Sequence, residues 1–150
     1  MKSKRFEPIR EVAANSAAAL SRAMVEAERR VAEIEQQMGR LKSYRDEYVR
    51  DSAQSVGSMD AVRLQNYRAF LERLSEAVRL QTQSLGLARA EYESRRAQWS
   101  AKRVEAESLG RVIDRFRAEE RQSADRREQR DGDEAAMRLA LAARGSFDNY

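Results

Sequence analysis

Histidine and cysteine are both absent from the 150 residues. Thiol nucleophiles, disulfides and imidazole-based metal or acid–base sites are therefore excluded. The groups left to do chemistry are carboxylates, hydroxyls and guanidinium ions. Asp131, Asp133 and Glu134 form the densest acidic set. Their spacing is too irregular for a calcium loop, which needs alternating ligands over about twelve residues with a glycine at the sixth. The glycines are scattered, so no backbone cradle for phosphate exists, and the serines have no histidine to activate them. Adjacent acids such as Glu119 and Glu120 fit the solvated face of a helix. These residues imply no enzyme, no cofactor and no metal. They leave a protein that works by binding.

Two kinds of side chain could carry such binding. Lys and Arg number 29 against 25 Asp and Glu, a net charge of +4. The short basic clusters, Arg95-Arg96 with Lys102-Arg103 and Lys2, Lys4 and Arg5, lie within mixed-sign stretches. Nucleic-acid binding calls for positive charge gathered on one face, so no nucleic acid is expected. The aromatics are the other kind, and judging them requires the elements that hold them.

Stepping alternately by three and four from Leu64 visits Leu64, Tyr67, Leu71, Leu74, Val78, Gln81, Leu85, Ala88, Tyr92, Arg95, Trp99, Lys102, Ala106, Leu109, Ile113 and Phe116. All but Gln81, Arg95 and Lys102 are apolar or aromatic, a heptad seam that argues for a coiled coil. A second seam runs through Ala17, Leu20, Met24, Ala27, Val31, Ile34, Met38, Leu41, Arg45 and Tyr48. Upstream, Ala13 and Ile9 follow at steps of four, so the seam is expected to drift there. Pro8 suits a first helical turn, where its missing N–H costs nothing. The first helix is accordingly predicted over about residues 8–52 and the second over about 59–125. AQSVGS at 53–58 forms the turn, with Ser58 as N-cap. The charged stretch beyond, to residue 150, is expected to be a helical or frayed, weakly ordered tail, because i,i+4 pairs can keep it helical without packing on anything.

A short turn between two long seams predicts an all-α fold, a two-helix antiparallel coiled-coil hairpin in a single domain. The simplest register aligns Tyr48 with Leu64, Leu41 with Leu71, Met38 with Leu74, Ile34 with Val78 and Ala27 with Leu85. Further along it sets Trp99 against Ala13 and Phe6 against Ala106. Two features are left over. Leu109, Ile113 and Phe116 run past the first helix, which leaves them for a partner protein. Tyr44, Phe70 and Ala77 lie one step off the seam, where charge is usual, and an apolar margin there is either a binding face or a widening of the hairpin core near its end.

The charged opening MKSKRFEPIR is followed by no apolar run of signal-peptide length, and no stretch of about 20 apolar residues could span a bilayer. The expectation is a soluble intracellular protein without membrane insertion. On the residues alone, a passive coiled-coil spacer or dimerisation element and a nucleic-acid-binding hairpin remain alternatives to an adaptor.

FEPIREVAANSAAALSRA, LKSYRDEY before the turn, YRAFLERLSEAVRLQ after it and the late EQRDGDEAAMR together resemble the FliJ family of flagellar type III export proteins, in family order. The resemblance implies a two-helix stalk similar to that of rotary ATP synthases. Its partners would be the hexameric export ATPase, the export-gate membrane protein and export chaperones. It would work in the cytoplasm, peripheral to the inner membrane. The family's gate-facing patch maps onto Gln37, Leu41, Tyr44, Tyr48, Phe70, Leu74, Ala77 and Gln81. Gln81 stands where the family often carries a histidine, which would remove any pH sensitivity there. The stalk analogy assigns Leu109, Ile113 and Phe116 to the ATPase ring.

Overall fold

The computed structural model of the chain describes residues 1–147. Two α-helices make up the fold, α1 over Lys2–Ala53 and α2 over Ala61–Phe147, joined through a 3₁₀ turn at Val56–Ser58. They pack as an antiparallel helical hairpin with no strand among the described residues. The heptad positions are the inner ones. Every seam residue named above from Ala17 to Tyr48 and from Leu64 to Phe116 is buried or half-buried. Period alone therefore located the interface, because only one stripe of each helix can face the other.

The turn is built from short local bonds. The Ser55 N–H donates to the Ser52 carbonyl (3.0 Å), and the Ser58 N–H and hydroxyl both donate to the Ser55 carbonyl (3.1 and 3.0 Å). Ser58 is thus occupied by the 3₁₀ turn, and Asp60 is the N-cap instead. Its Oδ1 accepts from the Arg63 N–H at 2.8 Å, satisfying a donor that the first helical turn leaves unpaired.

The chain divides into two packed units, Ser16–Lys102 and Met1–Asn15 with the residues from Arg103 on. In the first, Ile34, Leu85 and Ala88 form the core, flanked by Val31 and Met38. Leu74 and Val78 are also buried. Ile34 therefore meets Leu85 rather than the expected Val78, a displacement of one heptad along α2. A strict heptad seam is self-similar under a slide of seven residues, so its pattern cannot distinguish the two registers. The contacts between the helices decide, since Ile34 clusters with Leu85 and Ala88. The Glu35–Arg89 ion pair (2.9 Å) spans the helices in the same register, but it is exposed and contributes little.

In the second unit, α1 starts at Lys2, well before the predicted residue 8. Pro8 sits inside the helix, where it cannot donate to the Lys4 carbonyl and costs about 3 kcal/mol. Packing offsets this cost. The Phe6 and Phe116 rings lie 5.4 Å apart, and Lys2 Nζ lies 5.7 Å from the Phe116 centroid. Ile113 is wholly buried, and Arg117 pairs with Glu7. The Ser3 N–H and hydroxyl donate to the two oxygens of Glu120 at 3.1 and 2.7 Å. A carboxylate of α2 thereby caps the N-terminus of α1, where the helix dipole favours negative charge.

The seam does not drift in this unit. Ile9 is half exposed, at 51%, while Ala13, Arg10, Phe6 and Ser3 continue the three-four stepping and are turned inward. The Arg10 stem lies against Gly110, 3.9 Å from where a Cβ would stand. A long aliphatic stem fills a seam position as a hydrophobe does.

Candidate functional site

The residues predicted to face a partner near the turn come from consecutive layers of α1 and α2. Phe70 lies edge-on to two rings, Tyr48 at 4.5 Å and Tyr44 at 6.1 Å between centroids. Tyr48 stacks on Tyr67 at 5.4 Å. The four rings form one cluster in which Tyr48 and Tyr67 occupy seam positions and Phe70 packs at the margin. Tyr44 closes the outer side and stays 52% exposed. Edge-to-face geometry sets the positive edge of one ring against the negative face of the next, and holds Tyr44 in a defined pose despite its exposure.

The other members divide by burial. Gln37 is exposed, Leu41, Ala77 and Gln81 are half-buried, and Leu74 is buried. Leu74 therefore supports the patch from beneath and offers no surface to a partner. Gln81 holds its side-chain carbonyl Oε1 buried, with no hydrogen-bond partner among the described residues. Beside it the Thr82 hydroxyl donates to the Val78 carbonyl at 2.8 Å.

Tyr67 completes the cluster and was not among the predicted site residues. As a seam position it read as core. The signal that its ring joins the cluster is its aromatic type three residues before Phe70.

Leu109, Ile113 and Phe116 are placed differently from the expectation. Their spacing alone predicts a seam without a partner in the chain. Ile113 is fully buried, Leu109 and Phe116 are half-buried, and Phe116 lies against Phe6. The earlier start of α1 and the one-heptad slide together supply the missing partner. The unpartnered part of α2 lies further on. Every described residue from Arg121 is exposed, and the helix continues to Phe147, the helical one of the two states expected for the tail, whose residues 148–150 lie outside the described ones. An exposed ion pair between residues four apart, Glu134–Arg138 (3.8 Å), lies along this solvated helix and contributes little.

Electrostatics follow the same division. Two hydrogen bonds from Ser3 hold the Glu120 carboxyl below its ordinary range, with the N-terminal charge and Arg117 adding to the effect. Around the aromatic cluster the features are shape and apolar surface. Among the described residues, no group of three or more acids gathers as a metal site would require. No helix there is long and apolar enough to cross a membrane.

A heptad seam buried between two antiparallel helices matches the two-helix fold that the resemblance implied. The family model described as Flagellar FliJ protein matches residues 1–145. The chain belongs to the FliJ family. That family is a component of flagellar protein export. No curated protein and no solved structure matches the chain.

Proposed function

We propose that this FliJ-family chain is a non-enzymatic stalk and adaptor of the flagellar type III export apparatus. It binds the hexameric export ATPase and the export-gate membrane protein, and it escorts export chaperones. It acts in the cytoplasm, held at the inner face of the inner membrane by those partners. Family membership supports the setting in flagellar export. The observation that carries the adaptor reading is Tyr44. It is a large aromatic side chain, half in water, posed by Phe70 in a position where a two-stranded coiled coil ordinarily places charge. Aromatic anchors of this kind concentrate binding energy at interfaces because they bury much area at low entropic cost.

In this reading Gln37, Leu41, Tyr44, Tyr48, Phe70, Ala77 and Gln81 form the gate-facing surface, and Leu74 holds it from below. Leu109, Ile113 and Phe116 serve the ATPase ring indirectly. They fasten the first turns of α1 to α2, so that the outer faces of this unit reach the ring already ordered.

Tyr44→Ala combined with Phe70→Ala tests the assignment. The double variant should keep its helical circular dichroism and lose both capture of the export-gate protein and motility. Gate capture undiminished by the double substitution would refute the face.

A further inference from the structure

Residues from Arg121 to Phe147 are helical and exposed throughout. Met137, Leu139, Leu141 and Phe147 all stand in water. Carrying the stepping of α2 beyond Glu120 visits Ser123, Arg127 and Arg130, which interrupt the apolar seam. It then visits Glu134, Met137, Leu141 and Arg144. The seam thus resumes in phase after a polar gap, on a stretch that packs against no other described residues. Apolar residues at successive core positions of one heptad frame are the pattern by which a helix meets another helix.

We propose that this stretch pairs with the same stretch of a second copy of the chain, antiparallel and related by a two-fold axis. The order Glu134, Met137, Leu141, Arg144 is complementary to its own reverse. In an antiparallel pair Glu134 faces Arg144 of the second copy, Met137 faces Leu141, and the other two layers repeat these contacts by symmetry. A parallel pair would set Glu134 on Glu134 and Arg144 on Arg144, two like-charge layers that oppose association. Charge therefore selects both the occupant and its direction. Leu139 provides an internal control, since residues two apart point to different sides of a helix. Four layers make a small interface, so the association is weak and shows only at high concentration.

Sedimentation velocity on the full chain tests this. From about 10 μM to about 500 μM, a range suited to a small interface, the sedimentation coefficient should rise. Glu134→Arg alone and Arg144→Glu alone should each abolish the rise, and the two together should restore it, because the exchanged charges again face one another. Leu139→Asp should leave it intact. The absence of native cysteine permits a second readout. An equimolar mixture of Met137→Cys and Leu141→Cys chains should oxidise mainly to the mixed disulfide. A coefficient that stays constant, a double exchange that does not restore it, or no excess of the mixed disulfide would overturn the proposal. A constant coefficient would leave the face to a different protein.

Discussion

Near the turn, Phe70 stands edge-on between Tyr48 and Tyr44, and Tyr44 keeps half of its surface in water. At the start of α1, Phe6 lies on Phe116 beside a fully buried Ile113, and Glu120 caps the helix next to them. Both regions use ring-on-ring contact between α1 and α2. In the first, the aromatic count exceeds what two helices can enclose, and the surplus ring projects. In the second, Phe6, Ile113 and Phe116 are turned inward, and Ser3 with Glu120 and Glu7 with Arg117 close the perimeter. The contrast separates a surface from a fastening: exposed aromatic area is available to a partner, whereas the same area turned inward holds a helix together despite Pro8.

The strongest way to break this contrast is Ile113→Ala. Deleting a fully buried side chain should cost about 2–4 kcal/mol, read from the midpoint of urea unfolding. If Ile113→Ala is nearly neutral, the second region is not a fastening. Within the aromatic region, Gln81→Leu should stabilise the chain by about 1 kcal/mol, because an apolar group replaces a buried carbonyl that has no hydrogen-bond partner among the described residues. Unchanged stability would show that the Gln81 carbonyl is satisfied in solution.

Glycine substitutions compare the two regions at similar chemistry. Gly39→Ala places a methyl in open space, and Gly110→Ala places one against the Arg10 stem. Each should raise stability by about 1 kcal/mol in thermal melts through the lower entropy of the unfolded chain, with Gly110→Ala ahead by its added contact. A loss at Gly110 would mean that Arg10 cannot yield.

The smallest effect concerns pH. Ser3 holds the folded Glu120 carboxyl below its ordinary value of 4.5, so the unfolded chain binds more protons there than the folded one. The resulting stability is present above that ordinary value and is lost as pH falls through the folded one. Glu120→Gln should therefore lower stability at neutral pH and flatten its decline in acid, measured by chemical unfolding between pH 7 and about pH 3. An identical acid profile in the variant would show that the cap does not contribute.

Much of this was legible in the residues. The three-four spacing located the inner face of both helices, including Arg95 and Lys102, and AQSVGS located the turn. Phe70 beside the seam disclosed the aromatic margin. The misreadings share a cause. Ile9 drew the seam off line because it is apolar, although Arg10 holds the inward position with its stem. Pro8 implied a helix start because its local cost is real, yet contacts from residues more than a hundred positions away offset it. Beyond residue 125 nothing packs on the helix, and of the helical and frayed states that its charged residues allow the structure holds the helical one as far as Phe147.

By itself, then, the sequence determined which stripe of each helix is buried, that the helices run antiparallel, and that no acid–base or metal chemistry of histidine or cysteine is open to this protein. These depend on local period, turn chemistry and residue type, all of which are written along the chain. Only the tertiary structure decided the register, and with it which aromatic rings meet and which one is left in water. A heptad repeat is unchanged by a slide of seven residues, so the pattern has no means of choosing. The contacts between the helices, Ile34 with Leu85 and Ser3 with Glu120, do.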